Sequence, residues 1–414
     1  MSTGILSGIR VIDCGTYIAA PAAATVMSDF GAEVIKIERP PLGDPYRYLS
    51  LLKAMPESDL LYCWILDGRN KKSLALDLSR KDGRDALLRL VKTADVFITN
   101  YPGPLVRKFQ LSYEELRTIQ PKLIYAHITG YGDQGEDADK PGYDATAYWA
   151  RSGLMSIMHN ADTEPCTSPA GFGDHPTSMS LFGGIMLALF NRERTGAGTK
   201  VSTSLVANGV WSNACMIQAA ACGAQFNPRR TRKDATHPII NHYLSRDGKR
   251  FLLCCVDGAK DWPAVCKALE LDDLCADERF ATQEGRFDHR VYLIERFDQA
   301  AARYDMTEIA RRFLANDVIW GPVPEIGEIH KDAQMEANGI FTTVSHPERG
   351  SLRTVNSPLN LLGVEKEVPS PAPEVGQHTL EMLQQLGYSD GEIEAMIVSG
   401  AAACAPRRNS ASNR

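Results

Sequence analysis

The stretch GFGDHPTSMS, Gly171 to Ser180, places a single carboxylate, Asp174, between a glycine and a histidine, ahead of the apolar run LFGGIMLALF. Two chemistries suit it. An aspartate at a helix start can cap backbone N–H groups, which contributes about 0.5–2 kcal/mol. The same place suits a nucleophile, because a helix N-terminus favours the ionised form and aims N–H donors at a developing oxyanion. With an ordinary pKa of about 4, such an aspartate is a carboxylate at neutral pH and attacks without a base. Capping and catalysis are compatible if the side chain faces a cleft.

Three further clusters carry charge or polarity. Arg39 follows the strand-like EVIKI. Arg69, Lys71 and Lys72 stand in DGRNKKSLALDL, just before a strand. Asn100, Tyr101 and Arg107 stand in ITNYPGPLVRKF, just after one. Each alone reads equally well as a solvated loop. Together, in a chain of net charge −6, they point to an anionic, nucleotide-like ligand, since ammonium and guanidinium groups pair well with phosphate. No histidine lies in HExxH spacing, and neither GxSxG nor a Walker A loop occurs, so no metal is assigned.

The elements that must position these groups are legible over the first 130 residues. Short β-like runs, Arg10–Cys14, Glu33–Ile37, Ser73–Leu78, Asp95–Thr99 and Leu123–Ile128, alternate with helical ones. Among these is AAPAAATVMSDFG, with Pro21 near its start and Gly31 past its end. This alternation predicts an α/β fold with a mostly parallel, Rossmann-like sheet, whose ligands bind beyond the carboxyl ends of the strands. No GxGxxG follows the first strand, so no dinucleotide cofactor is indicated. From about 178 to 223 the chain reads as helical. FNPRRTRKDATHP then marks a linker, and YLSRDGKRFLLCC a hairpin turning at Asp247-Gly248. Three segments result: a large domain over 1–224, a smaller α+β domain over 225–325, and a return to the large domain over 326–414. The last ten residues look frayed.

Composition narrows the class. At 414 residues with 44% hydrophobic content the chain can bury a large core. A negative balance gives no general attraction to nucleic acid or acidic membranes. The N-terminus lacks a signal-peptide pattern and no apolar run is long enough to span a bilayer, so a cytoplasmic protein is expected. Its ten cysteines form no CxxC pair and read as reduced core thiols.

The ordered set GIRVIDCGTYIAAP, DFGAEVIKIERPPLGDPYR, NKKSLALDL, ADVFITNYPG, GYDATAYWARSGL, GFGDHPTSMSLFGG, WGPVPEI and GQHTLEMLQQLGYS resembles the class III coenzyme A transferases. That family includes formyl-CoA, carnitine-CoA and mesaconyl-CoA transferases, with α-methylacyl-CoA racemase as a cousin. The resemblance runs from about residue 4 to 395. It implies an interlocked ring homodimer in which each subunit threads the other. It implies acyl-CoA as substrate, with no tightly bound cofactor. It puts the covalent nucleophile at Asp174, adenine and phosphate contacts at Arg39, Lys72, Asn100 and Arg107, and the pantetheine-lining turn at Tyr17, Ile18 and Ala19. Tyr131 matches a family tyrosine near the thioester.

The departures refine this. Racemases carry a histidine in a GHD motif where this chain has Gly142-Tyr143-Asp144, and glycines where it has His175-Pro176-Thr177. A tyrosine, with a pKa of about 10, does not replace a histidine base near neutrality. Formyl-CoA transferases carry a glutamine where this chain has Ile18. The resemblance therefore implies a succinyl-CoA-dependent transferase acting on a diacid or sulfinate such as 3-sulfinopropionate. His175, His237, Asn241 and the arginines Arg229, Arg230 and Arg232 are candidates to hold a distal anionic group. A 2-methylacyl-CoA racemase or epimerase and a non-catalytic CoA-binding protein are the alternatives.

Overall fold

The computed structural model describes residues 4–406; the fraying expected at the C-terminus falls almost wholly outside them. The chain forms two compact units. The first takes in the residues up to 157, Thr167–Cys222 and the chain from Ala337 onward. The second takes in Met158–Cys166 and Gly223–Glu336. The chain thus returns to the first unit about ten residues later than the sequence suggests, and a short earlier segment joins the second.

The first unit is built on a seven-stranded sheet. Its strands are β1 (Arg10–Asp13), β2 (Glu33–Glu38), β3 (Lys71–Leu76), β4 (Val96–Thr99), β5 (Ile124–Thr129) and β6 (Thr199–Ser204), with β12 (Ala402–Ala403) at one edge. The order is β12-β3-β2-β1-β4-β5-β6. β1 to β6 pair in parallel and only β12 runs antiparallel, against β3. Parallel strands buried on both faces, β1 to β5, explain the near-continuous apolar runs VID, VIKI and VFIT, whereas β6 is partly exposed. One face is covered by α1 (Ala19–Asp29), every residue of which is buried, and by a long helix over Asp174–Thr195. The other is covered by helices over Lys81–Val91, Tyr113–Ile119 and Thr379–Gln385.

β6 was not legible as a strand. The stretch expected to be helical to 223 breaks at Gly196, which takes the left-handed conformation, and TKVSTS then pairs with β5 before helices resume at Leu205. A glycine with φ of 73° ends a helix by satisfying its last carbonyls, and β-branched residues favour the strand that follows.

The second unit has an antiparallel sheet of β7 (Ile240–Leu244), β8 (Arg250–Cys254) and β9 (Trp320–Val323). Its helices pack on a core around Trp262, Phe280, Phe297 and Phe313. The Asp247-Gly248 turn joins β7 to β8 as expected. In the first unit β10 (Phe341–His346) and β11 (Gly350–Val355) form a further hairpin. Among the described residues no helix is long and apolar enough to cross a membrane. Six of the ten cysteines, Cys166, Cys215, Cys222, Cys254, Cys275 and Cys404, are exposed, so only Cys14, Cys63, Cys255 and Cys266 are core thiols.

Candidate active site

The strand order reverses between β1 and β4, and at such a switch point the loops after the two strands diverge and leave a crevice. Here those loops are Gly15–Ile18 and the segment from Asn100. The Asn100 side chain closes on the Thr16 backbone from both sides: Oδ1 accepts its N–H at 2.8 Å and Nδ2 donates to its carbonyl at 2.8 Å. Tyr17 follows with φ of 59°, a left-handed conformation rare for a bulky residue. Its N–H is held by Asp44 Oδ1 at 3.0 Å, and its ring meets Tyr143 edge-on at 5.6 Å.

Beneath this turn lies a buried set of charges of which the sequence pointed only to Lys71, and there as a phosphate-facing group. Lys36 Nζ reaches Asp44 at 2.8 Å, Asp13 at 3.4 Å and the Gly15 carbonyl at 2.6 Å. Lys71 Nζ reaches Asp13 at 2.9 Å and the Pro21 carbonyl at 2.7 Å. Burial works against the Lys36 charge, but Asp13 and Asp44 beside it hold its pKa above the ordinary lysine value. Asp13 is held below the ordinary carboxylate range by Lys36 and Lys71, against its own burial. The signal available in the sequence was a charge set within an apolar strand, at Asp13 in RVIDC and Lys36 in EVIKI.

Asp174 is the first residue of its helix and Gly173 is the cap residue, with no side-chain capping bond. The capping role therefore does not apply. Among the described residues the Asp174 carboxylate makes no hydrogen bond or ion pair. It lines a cleft of about 160 Å³ together with Tyr17, Ile18, Ala19, Asn100 and the Thr129–Gly130 end of β5. That is below the roughly 300–1,000 Å³ of sites that enclose a drug-sized ligand, so the cleft suits the reacting end of a molecule. Two contacts fix the approach. Asp144 Oδ2 accepts the Gly173 N–H at 3.1 Å, and Gly171 adopts φ of 78° beside Ile18.

Two expectations about Asp174 change. Burial, joined by the Asp144 carboxylate, pushes its pKa up to about 7, with His175 acting the other way. It is therefore only partly ionised at neutral pH. The helix start also offers few free donors: the His175 and Thr177 amides bond to the Gly171 and Gly173 carbonyls, and Pro176 has none.

His175 is half-buried and turns to other partners. Its Nε2 faces Asp67 Oδ2 at 3.3 Å and its Nδ1 faces the Gly171 carbonyl at 3.2 Å. Both nitrogens are thus engaged, which leaves no ring donor for a distal anionic group. The ring borders a separate apolar cavity of about 470 Å³ that also meets Thr25, Met179 and Ser357.

The remaining expected residues are only partly gathered. Arg39 stands exposed just past the carboxyl end of β2, without an ion pair among the described residues. Arg107 is exposed and paired with Asp139 at 2.6 Å. Tyr131 packs against Gly142 at the edge of the cleft, below Lys140 and Arg151. Lys72 does not belong with them. It sits at the amino end of β3, paired with Glu33 at 2.9 Å, because β3 begins at Lys71 rather than Ser73. In a parallel sheet, residues at strand starts lie at the edge opposite those at strand ends. Nor are Arg69 and Lys71 a solvated or phosphate-facing patch: Arg69 is buried against Asp29 at 2.6 Å, and Lys71 against Asp13.

His237 and Asn241 belong to the second unit. Burial and Arg286 hold His237 below its usual pKa. Asn241 is buried and donates to the Arg232 carbonyl at 3.0 Å. Arg230 is paired with Asp234 at 2.8 Å, Arg232 with Asp298, and Arg229 contacts His159. The charges of Arg230 and Arg232 are spent inside that unit.

Comparison with known proteins agrees across almost the whole chain. The model of CoA-transferase family III matches residues 6–379. The (R)-2-hydroxy-4-methylpentanoate CoA-transferase of Clostridioides difficile is 30% identical over 390 residues, covering 94% of this chain and 97% of its own. The succinyl-CoA:glutarate CoA-transferase of Mus musculus is 31% identical over 399 residues, covering 95% and 89%. The crystal structure of a CAIB/BAIF family protein from Brucella suis superposes with a TM-score of 0.80 at 26% identity, covering 93% and 100%.

Proposed function

Since the chain belongs to CoA-transferase family III, we propose that it moves CoA from succinyl-CoA to a small diacid or sulfinate, such as 3-sulfinopropionate, with Asp174 as covalent nucleophile. The observation that carries this is the Asp174 carboxylate itself, unpartnered among the described residues and facing a cleft at the sheet's switch point. A half-buried carboxylate without a partner costs stability. Such a group is kept where its reactivity is used.

The steps balance without an outside base. An Asp174 oxygen attacks the thioester carbon, the C–S bond breaks and CoA leaves as thiolate. The thiolate attacks the aspartyl carbon of the mixed anhydride, which releases the first acid as carboxylate and leaves an aspartyl-CoA thioester. The acceptor carboxylate attacks that thioester, again freeing thiolate and forming a second anhydride. The thiolate then takes the acceptor acyl group, and Asp174 returns as carboxylate. Keeping water out preserves the thioester energy at each stage. The thioester end lies against Tyr17, Ile18 and Ala19, with Asn100 bracing the turn and Tyr131 at its edge. Arg39 and Arg107 reach for the nucleotide phosphates.

The mouse relative's name supports succinyl-CoA as donor. A racemase needs a second proton-transfer group beside the aspartate. Here Tyr143 is exposed, and Asp144 is tied to the Gly173 and Ala145 amides. In this reading the enzyme is a cytoplasmic, interlocked homodimer with a Rossmann-like CoA-binding domain, and acyl-CoA is its substrate rather than a bound cofactor.

The test offers succinyl-CoA with a panel of isotopically labelled acids and reads products by mass. Labelled acid is expected in thioester linkage, and hydroxylamine is expected to trap Asp174 as its hydroxamate. Asp174→Ala is expected to abolish transfer while acyl-CoA binding stays within about fivefold. Full transfer by that variant, or exchange of the substrate α-proton with no acceptor present, overturns the reading.

A further inference from the structure

We propose that Asp67 and His175 act as a positioning pair for the transfer reaction, Asp67 fixing the His175 ring as a doubly protonated cation at the first helical turn beside the Asp174 carboxylate. The inference rests on the reading of Asp174 as nucleophile for its catalytic consequence, though not for the protonation state.

The geometry decides the protonation. Gly171 offers His175 Nδ1 a carbonyl, which only accepts, at 3.2 Å. Asp67 Oδ2 offers Nε2 a carboxylate oxygen at 3.3 Å that already accepts the Tyr46 hydroxyl at 2.6 Å. An imidazole between two acceptors satisfies both only when both nitrogens carry protons. Asp67 in turn needs a cation, because it is buried at the end of the Tyr62–Gly68 helix. Neighbouring cations are committed elsewhere, Lys71 to Asp13 and Arg69 to Asp29. Among the described residues His175 is the only ion-pair partner of Asp67.

The titratable and charged groups around the ring are Asp67 from the Tyr62–Gly68 helix, Arg69 just past that helix and turned to Asp29, and Asp174 beside His175 in the chain, with Tyr46 and Cys63 behind Asp67. The α1 neighbour, Thr25, is neutral. The charge balance at Asp174 follows. Asp144 and Asp67 disfavour its ionisation and His175 favours it. Without the imidazolium, the nucleophile faces two carboxylates and no cation. The pair spans 108 residues of sequence. It also fixes the Gly171 carbonyl and so the loop that carries Asp174.

Ring protonation is read in the full-length enzyme, without substrate, by 15N NMR of histidine-labelled protein. Both His175 nitrogens are expected to be protonated at pH 7.5, and Asp67→Asn is expected to lower the midpoint of that titration by at least about one pH unit. A neutral His175 tautomer at pH 7.5, or an unmoved midpoint in Asp67→Asn, overturns the proposal. The kinetic readout is the acid limb of kcat/KM against pH. His175→Gln is expected to move that limb upward by about one unit, and adding Asp67→Asn to move it back. A uniform loss of kcat/KM with the limb unmoved marks a merely structural role and also overturns the proposal. If His175→Gln does not fold, the Asp67→Asn titration decides. Loss of transfer in Asp174→Ala bears on the nucleophile alone, because His175 protonation is measured equally well in that variant.

Discussion

The Asp144 carboxylate accepts the backbone N–H of Gly173 at 3.1 Å, so one carboxylate both places the residue before Asp174 and raises the pKa of Asp174 by its charge. Position and ionisation are set by the same side chain and can be separated by one substitution. Asp144→Asn keeps an acceptor oxygen and removes the charge. Like charges disfavour ionisation, so the acid limb of kcat/KM is expected to shift to lower pH, below about 7. Asp144→Leu removes both and is expected to lower kcat by roughly 100-fold or more. An unmoved acid limb in Asp144→Asn overturns this assignment.

Asp174 also makes stability depend on pH. Its pKa rises from 3.8 unfolded to about 7 folded. Between these values the native state binds more protons, so this group's contribution falls as pH rises through that window. Above about 7 the ionised, half-buried carboxylate is a net cost. Asp174→Asn is expected to be more stable than the parent at pH 8, by on the order of 2–4 kcal/mol, and unchanged near pH 4. Urea unfolding at the two pH values checks it. Equal stability at pH 8 would mean the carboxylate is solvated.

Lys36 binds β2 to both the β1 end and the Asp44 loop. Removing one partner of a buried ion cluster leaves charges uncompensated, at a cost of roughly 3–5 kcal/mol. Lys36→Met is expected to lose that much in urea unfolding. Because Asp44 also holds the Tyr17 amide, acyl-CoA affinity is expected to fall with it. A loss below about 1 kcal/mol would show the cluster to be dispensable.

What the sequence made legible were features carried by local pattern. Alternation of apolar runs located β1 to β5, and the turns after β1 and β4 brought Tyr17, Ile18, Ala19 and Asn100 to one cleft with Asp174. What stayed hidden depended on distant partners. Asp13 and Lys36 look like strand residues until β1, β2 and β3 align their side chains. The Asp67–His175 contact likewise exists only once the Tyr62–Gly68 helix and the Asp174 helix come together. Lys72 was misplaced by a two-residue error in a strand start, which in a parallel sheet moves a side chain from one edge to the opposite one.

That edge distinction is testable. Arg39 follows a carboxyl end, and Lys72 stands at an amino end in an ion pair with Glu33. Arg39→Ala is expected to raise KM for succinyl-CoA by about tenfold, the scale of one charge-assisted phosphate contact. Lys72→Ala is expected to leave KM within about twofold. A larger effect at Lys72 than at Arg39 would place the nucleotide at the other edge of the sheet.

Gly173 shows how little room the loop before Asp174 has. A Cβ there would stand 2.5 Å from Cγ of Tyr148. Tyr148 cannot yield, since it is buried in the core under the Asp174 helix and its hydroxyl meets Ser212 Oγ at 2.7 Å. The backbone at Gly173, with φ of −93°, suits any residue, so the conflict is steric rather than conformational. Gly173→Ala is therefore expected to push the loop off Asp144 and tilt Asp174 out of line. The expected cost is about 1–3 kcal/mol of stability and roughly 100-fold in kcat, with acyl-CoA binding within a few-fold. Gly183, further along the Asp174 helix itself, has nothing within 4 Å of its Cβ position. Gly183→Ala is expected to gain up to about 1 kcal/mol and leave kcat unchanged. If Gly173→Ala keeps full kcat, the loop is free to reposition and the orientation of Asp174 does not depend on it.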